Sequence, residues 1–354
     1  MDFLFKNKRI NGILTVLPKK AVKFEEEITN YNFSPAKSMK LKLAMGYNEH
    51  RVAAPGQTSS DFCQHGLQYL MDHGMLKPKD IDALLFVSQS PDFFMPPTSN
   101  ILHGHFGLKQ DCLSMDINQG CAGFELGIIQ ACMLLEQPAV KKVVLLNADV
   151  LSSKVSPRDR NSKPLIGDAA AITVIEKCEE ENPIYANIKM DGTGAMVLNI
   201  PAGGFRLPSS PETAVMEEDA SGNFRSKDNL VMQGDEVFNF VQREVPPMIE
   251  HLFKQSGIDR QDVDWYMFHQ PNKFMLNKLA DKLGIPRDKM PANIVENFGN
   301  ASGVTVPTCI CYNLGERLCN ETAQICMAGF GVGLTWSSIM MRMGKMSFNQ
   351  IIEL

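Results

Sequence analysis

The sequence predicts an α/β protein, and three observations support that fold class. Apolar stretches of strand length alternate with amphipathic stretches of helix length along the whole chain, as expected for mixed sheets covered by helices. The chain has 354 residues, of which 44% are hydrophobic and 21% charged, the balance of an ordinary globular protein. At about 150 residues per domain, that length predicts two domains or one large duplicated unit.

In the first half of the chain, five segments have a clear periodicity. Apolar residues recur at helical intervals over residues 59–75 and 121–135, so we expect a helix over each. Short runs rich in Val, Ile, Leu and Ala over residues 83–88, 142–147 and 170–175 predict buried strands. The order of these segments is typical of mixed sheets covered by helices.

The second half continues the pattern. The aromatic run 264–268 predicts a strand that ends at His269, and residues 273–283 have helical spacing. Residues 201–228, rich in Pro, Gly, Ser and charge, predict an exposed excursion. The acidic stretch 178–183 is the best candidate boundary, which divides the chain into residues 1–181 and 182–354.

Composition excludes several classes of protein. Thirty-five Lys and Arg against 40 Asp and Glu give a net charge of −5, so the chain has no overall attraction to nucleic acid. Nine scattered cysteines, an odd number, indicate free thiols in a reducing compartment. No apolar run approaches the roughly 20 residues of a membrane span. The start of the chain lacks a secretory cleavage site, and we expect a cytoplasmic protein.

Cys121 is the first candidate for chemistry. It follows a strand-like stretch and a glycine turn, and it precedes about fourteen largely apolar residues of helical character. At a helix N-terminus the unpaired amides and the dipole favour a thiolate, so the sequence predicts a pKa of Cys121 lowered from about 8.5 toward 7. For a lone cysteine a structural role in the core is more common, and the assignment therefore depends on partners.

Three later segments supply those partners. His269 lies where the predicted strand 264–268 ends, and Asn300 lies in the small-residue loop 297–303. The glycine-rich segment 329–333 lacks the spacing of a dinucleotide site, and alone it indicates only a tight turn between strands. A thiol, an imidazole and a carboxamide together are suited to nucleophilic acyl transfer.

Together these segments carry a family resemblance. Residues 118–124 (NQGCAGF), 269–272 (HQPN), 299–307 (GNASGVTVP) and 329–336 (GFGVGLTW) resemble, in the same order, motifs of the β-ketoacyl-acyl carrier protein synthase III family of the thiolase superfamily. Weaker matches extend the resemblance over nearly the whole chain. It implies a thiolase-like, five-layered αβαβα fold with two similar halves, and a homodimer.

The resemblance also implies the chemistry. Cys121 would be acylated by an acyl-CoA or acyl-carrier donor, and His269 and Asn300 would stabilise the enolate formed when malonyl-acyl carrier protein is decarboxylated. The backbone amides of Cys121 and Val332 would form a second oxyanion hole. Arg160, Asn272, Lys273 and Phe274 lie in or beside matching motifs and are candidate substrate-binding residues. No metal or redox cofactor is implied; coenzyme A or carrier thioesters are substrates.

The sequence departs from the family pattern at several positions. Lys40 and Ala44 stand where a Trp and an Arg commonly hold coenzyme A, and Phe274 replaces a basic residue that commonly faces the acyl carrier. Lys273, Lys278 and Lys282 are alternative basic contacts for an acidic carrier. These departures indicate a specialised relative that serves fatty acid, lipid or polyketide synthesis.

Alternative functions remain at this point. A papain-like protease shares the order Cys, His, Asn, but its local cysteine signature and a secretory signal are missing. The Asn300 loop argues against a hydroxymethylglutaryl-CoA synthase. The residues around Cys121 argue against a type III polyketide synthase. A further alternative is an acyltransferase that passes the Cys121-bound acyl group to an amine or hydroxyl without decarboxylation. A non-catalytic scaffold is disfavoured because all three catalytic residue types are present.

Overall fold

The computed structural model describes all 354 residues. Its seventeen strands are β1 Asp2–Phe5, β2 Lys8–Leu17, β3 Ala21–Lys23, β4 Glu49–Arg51, β5 Ala83–Val87, β6 Leu113–Ile117, β7 Lys142–Asp149, β8 Ala169–Lys177, β9 Ile184–Met190, β10 Leu198–Asn199, β11 Glu217–Glu218, β12 Phe224–Arg225, β13 Val231–Met232, β14 Trp265–Phe268, β15 Thr322–Gly331, β16 Thr335–Gly344 and β17 Phe348–Glu353.

The ten α-helices are α1 Phe24–Glu27, α2 Pro35–Met45, α3 Ser59–Asp72, α4 Thr98–His105, α5 Gly123–Leu135, α6 Gly234–Ser256, α7 Lys273–Leu283, α8 Ile294–Phe298, α9 Thr305–Leu314 and α10 Arg317–Asn320. The helices and strands predicted from periodicity are present. Helix α3 ends earlier than predicted, because Gly74 adopts a left-handed φ of 68° that stops it. Helix α5 begins at Gly123, two residues after Cys121.

Two sheets form the frame of the molecule. The six-stranded sheet has the order β17-β2-β8-β7-β5-β6, and the five-stranded sheet has the order β1-β9-β16-β15-β14. The boundary predicted at residues 181 and 182 falls between β8 and β9, where the chain passes from one sheet to the other. The terminal strands cross this boundary, since β17 pairs with β2 and β1 pairs with β9. The division into two halves remains a prediction.

Three hydrophobic clusters place the helices around these sheets. The largest lies between the two sheets and contains the apolar faces of α5 and α9. A second joins α3 and α4 to the outer face of the six-stranded sheet. A third joins α6 and α7 to the outer face of the five-stranded sheet. The layer order is therefore αβαβα, and the predicted fold class is confirmed.

The segment 201–228 is exposed over most of its length, as predicted, and it also contains ordered structure. It contains the short antiparallel pair β11–β12, and Asn223 within it is fully buried. Arg225 pairs with the buried carboxylate of Asp159 at 3.1 Å. The polar composition that indicated exposure is used for ion pairs and turn hydrogen bonds, which hold the segment against the body of the protein.

Candidate active site

Cys121 lies in the turn that joins β6 to α5, at the centre of the molecule. Its side chain is nearly buried, with 9% of the residue exposed. The end of β15 passes so close that a Cβ on Gly331 would lie 2.7 Å from the Cys121 Sγ. Only glycine fits at position 331, and this close approach brings the following residue, Val332, to the thiol.

The thiol of Cys121 is protonated at rest. Burial raises the pKa of Cys121 to about 11, although hydrogen bonds from the Val332 backbone amide and the Ser302 hydroxyl oppose that rise. The expectation of a lowered pKa is therefore wrong, because desolvation between two sheets outweighs the helix N-terminus. The backbone amide of Cys121 also acts on the thiol. Both amides predicted to form an oxyanion hole thus adjoin the sulfur atom.

His269 follows β14 directly and is 2% exposed. Its Nδ1 lies 2.7 Å from the Thr305 Oγ1, and its ring packs edge-on against Phe330, with 5.6 Å between the ring centroids. Burial lowers the pKa of His269 to about 3, against a smaller opposing effect of the Ser302 carbonyl. The imidazole is therefore neutral near pH 7 and does not form an ion pair with Cys121.

Backbone contacts hold Asn300 in place. Its N–H donates to the Leu165 carbonyl at 2.7 Å, and its own carbonyl accepts from the Gly167 N–H at 3.2 Å. The Asn300 Oδ1 accepts a hydrogen bond from the Ser302 N–H at 2.9 Å. That bond fixes the orientation of the carboxamide, so its Nδ2, a donor, is the group left to face a ligand.

Two cavities meet at Cys121. The larger, an open cleft of about 700 Å³, is also lined by His269 and Asn300. The smaller has a volume of about 240 Å³ and lies on the side of Ser302 and Val332. The structure thus brings together the three side chains that the sequence predicted as catalytic and places the nucleophile where both cavities can reach it.

Comparisons with known proteins agree with this geometry. Residues 115–194 match the family described as 3-oxoacyl-[acyl-carrier-protein] synthase III, and residues 253–343 match the C-terminal domain of the same family. A β-ketoacyl-[acyl-carrier-protein] synthase III of Syntrophomonas wolfei is 30% identical over 309 residues, which cover 85% of this chain and 87% of the relative. The chain belongs to the 3-oxoacyl-[acyl-carrier-protein] synthase III family.

Two further proteins extend the similarity of this synthase over its full length. A putative 3-oxoacyl-[acyl-carrier-protein] synthase 3 of Campylobacter jejuni is 29% identical over 342 residues, covering 96% of this chain and 94% of the relative. The crystal structure of a 3-oxoacyl-(acyl-carrier protein) synthase from Burkholderia xenovorans superposes with a TM-score of 0.93 at 32% identity. That superposition covers 100% of this chain and 99% of the other. The predicted family is confirmed.

The remaining candidate residues lie around the mouth of the cleft of the synthase. Arg160, Asn272 and Phe274 line it. The Arg160 guanidinium also lies over the Phe33 ring, 4.7 Å from its centroid, and Asn272 caps α7 by accepting from the Met275 N–H at 2.8 Å. Lys273 does not line the cleft.

Lys273 pairs with Glu296 at 3.1 Å, and both side chains are largely exposed. Lys40 and Ala44, at the positions that depart from the family pattern, are exposed on α2. Helix α2 packs against α7, and Leu41 of α2 lines the cleft, whereas neither Lys40 nor Ala44 does.

Three residues near the nucleophile were not identified as functional from the sequence. Ser302 has a φ of 54°, unusual for a residue with a side chain, and it contacts Cys121. Thr305 touches His269. Asp149 is buried and accepts from the Gln89 N–H at 2.8 Å; burial raises the pKa of Asp149 to about 7. Ser302 and Thr305 belong to the matched motif 299–307, which was the available signal.

The synthase has neither a metal-binding cluster nor a membrane-spanning helix. No three His, Cys, Asp or Glu side chains lie together in an arrangement that could hold a metal ion. None of its helices combines the length and the apolar composition needed to cross a bilayer.

Proposed function

We propose that this synthase joins an acyl group bound to Cys121 with the two-carbon unit of malonyl-acyl carrier protein, releasing CO2 and forming a 3-oxoacyl thioester. One observation carries the proposal: Cys121 lies where an apolar cavity meets an open cleft, and the cleft also holds His269 and Asn300. A nucleophile that must first receive an acyl chain and then a second thioester requires access from two sides.

The first half-reaction transfers the acyl group to the thiol. Because both the thiol and the imidazole are neutral at rest, the thiol must lose its proton as the sulfur attacks the thioester carbonyl. The charge that develops on the carbonyl oxygen is stabilised by the backbone amides of Cys121 and Val332. Such fixed donors contribute a few kcal/mol each in a site that excludes water.

The second half-reaction breaks the bond between the malonyl carboxylate and its α-carbon. The electron pair of that bond moves into the thioester, giving an enolate, and CO2 leaves. The Asn300 Nδ2–H donates to the enolate oxygen, in the orientation fixed by the bond between Oδ1 and the Ser302 N–H. His269 lines the same cleft.

Basic side chains on α2 and α7, the helices beside the cleft, support docking of an acidic acyl carrier protein. Lys278 and Lys282 belong to α7, and Lys40 belongs to the neighbouring helix α2. The Lys278 Nζ lies 5.8 Å from the centroid of the Phe274 ring, and Phe274 lines the cleft. The ammonium group and the aromatic ring together form a rim beside the cleft. We propose that this rim replaces the basic residue missing at position 274. Opposite charges at such a rim accelerate association.

We also propose a homodimer in the cytoplasm. An exposed apolar patch contains Phe93, Phe94, Met95 and Phe205, and the rings of Phe94 and Phe205 pack at 5.1 Å. Patches of this kind commonly mark protein interfaces. All nine cysteines are free thiols, which suits a reducing compartment. Sedimentation velocity at micromolar concentration tests the dimer, and a monomeric chain would contradict it.

Intact-protein mass spectrometry after incubation with acyl-CoA and acyl-carrier thioesters tests the reaction. We expect a single acyl adduct that is absent in Cys121→Ala and present in Cys178→Ala, a matched loss of a thiol outside the site. Malonyl-acyl carrier protein should then consume the adduct and release 3-oxoacyl product.

Two outcomes would contradict the proposal. An adduct that survives the malonyl chase would favour an acyltransferase with an amine or hydroxyl acceptor. The absence of any adduct would remove the covalent mechanism altogether.

A further inference from the structure

The smaller cavity has no charged residue in its lining. Nine of its fifteen lining residues are hydrophobic, and the other six are uncharged polar residues. The hydrophobic ones include Leu151, Leu165, Ile166, Leu198, Ile200 and Leu230. The cleft, in contrast, is lined by Arg160, Asp219 and Arg225 among others. A charged malonyl group is therefore compatible with the cleft, while the cavity suits an uncharged hydrocarbon chain.

The volume of the cavity sets the length of that chain. An apolar cavity of about 150 Å³ takes up benzene, which has six carbons. On the same scale, about 240 Å³ accommodates roughly eight to ten carbons. An acetyl group would leave most of this apolar wall without contacts, which forfeits the dispersion and burial that a longer chain gains.

We propose that the acyl group carried by Cys121 is a medium-length, uncharged chain of roughly eight to ten carbons. This inference rests on the proposed function, because it assigns the small cavity to the Cys121-bound acyl group. Burying one methylene group raises a binding or rate constant about fourfold. Acylation of Cys121 therefore accelerates with chain length until the cavity is full.

Acylation rates measured with a series of saturated acyl-CoAs from two to fourteen carbons test this inference. We expect kcat/KM for octanoyl- and decanoyl-CoA to exceed that for acetyl-CoA at least about 100-fold, and to fall again at fourteen carbons. Leu230→Trp, which fills the cavity, should move the optimum to shorter chains. Val215→Trp, an exposed position in the same part of the chain, should leave it in place.

The outcomes separate this inference from the proposed function. A preference for acetyl-CoA, followed by consumption of the adduct by malonyl-acyl carrier protein, would overturn the chain length and leave the condensing function intact. No adduct with any chain would overturn both.

A second inference comes from the hydrogen bonds around Thr305. Its Oγ1 accepts from the Gln270 N–H at 3.2 Å and donates to the Ser302 carbonyl at 3.0 Å. A hydroxyl group has one proton to donate and two lone pairs to accept with. Its third contact, with the His269 Nδ1 at 2.7 Å, must therefore be accepted from an Nδ1–H.

We propose that Thr305 is a positioning residue that fixes His269 with a proton on Nδ1 and a lone pair on Nε2, facing the cleft. During acylation the Cys121 proton moves to Nε2 as the new S–C bond forms, and Nε2 passes it to the departing thiolate of the donor. His269 is therefore neutral again when the malonyl thioester binds. When the condensation product leaves, water protonates the Cys121 thiolate.

Thr305→Val removes the hydroxyl with little change in shape, and Thr305→Ser retains it. We expect Thr305→Val to slow Cys121 acylation at least tenfold, with the rate restored in Thr305→Ser. In protein labelled with ¹⁵N-histidine, the wild type and Thr305→Ser should show His269 protonated at Nδ1, and Thr305→Val should show a mixture of tautomers. His269→Asn identifies the signal.

A purely structural role for Thr305 would leave the tautomer unchanged in Thr305→Val. A wild-type signal protonated at Nε2, or acylation by Thr305→Val at the wild-type rate, would overturn the assignment.

Discussion

Glu27 and Glu125 are both buried glutamates, yet their pKa values shift in opposite directions. Glu27, at the end of α1, lies 3.2 Å from the His50 Nε2 and 3.3 Å from the Lys163 Nζ. Burial alone would raise the pKa of Glu27, but these two neighbours hold it below its ordinary value. Glu125, on α5, has no hydrogen-bond partner, and burial raises its pKa to about 8.

The difference shows how partners determine the charge of a buried group. Where a basic partner is present, the carboxylate is ionised and serves as an anchor; His50 also contacts the Ile166 carbonyl at 2.5 Å, next to the Asn300 loop. Where none is present, the group remains neutral. Cys121 and His269 belong to the second kind, and for both the neutral form is the one the proposed reaction starts from.

The largest expected effect concerns the thiol. Since the pKa of Cys121 is about 11, its alkylation by iodoacetamide should accelerate about tenfold per pH unit, or about 1,000-fold from pH 7 to pH 10. Peptide mass mapping distinguishes Cys121 from Cys178 and Cys319, which are less buried. A rate that levels off near pH 7 would indicate an ion pair with His269 and would contradict the comparison.

The next largest expected effect is a loss of stability when the contact between Glu27 and His50 is broken. His50→Leu leaves Glu27 buried with only Lys163, so we expect the free energy of unfolding to fall by about 3–5 kcal/mol. Urea denaturation at pH 7 measures this change. The double variant Glu27→Leu, His50→Leu removes the buried carboxylate together with its histidine partner and should recover much of the loss. A single variant as stable as the wild type would show that the pair does not stabilise the fold.

Replacing Glu125, the buried carboxyl group without a partner, should raise the free energy of unfolding instead of lowering it. The folded pKa of Glu125 is about 8 against an ordinary 4.5, so only the folded state holds the proton between these values. Stability contributed by this group is complete below about pH 4.5 and is lost as pH rises toward 8, by about 1.4 kcal/mol per unit.

Glu125→Leu removes this loss. We expect the variant to exceed the wild type in stability by about 4 kcal/mol at pH 8, with little difference at pH 4.5. Thermal unfolding in a series of buffers gives the two curves. Parallel curves would show that Glu125 does not titrate in this range.

The smallest expected effect comes from the second partner of Glu27. Lys163→Met removes the cation at 3.3 Å and leaves His50 in place. We expect a loss of about 1 kcal/mol in the free energy of unfolding, because Lys163 is nearer the surface than His50. A loss as large as that of His50→Leu would show that the lysine, and not the histidine, determines the charge of Glu27.

The sequence predicted much of the fold and little of the electrostatics. Short apolar runs located β5, β7 and β8 of the six-stranded sheet, and helical periodicity located the helix after Cys121, since both patterns are local. The ordered motifs identified Cys121, His269 and Asn300. The raised pKa of Cys121 could not be predicted, because it depends on burial between two sheets. The contact of Thr305 with His269 joins residues 36 positions apart, which periodicity does not show.

Each terminal strand pairs with a strand from the other half of the chain, and this pairing determines when each sheet can be completed during synthesis. Strand β1 precedes all the other strands in the chain, yet its neighbour β9 begins only at Ile184. Strand β17 completes the sheet of the first half, yet it follows all the other strands. Fragments 1–181 and 182–354 made separately each lack one edge strand, so both sheets close only when translation has reached the end of β17.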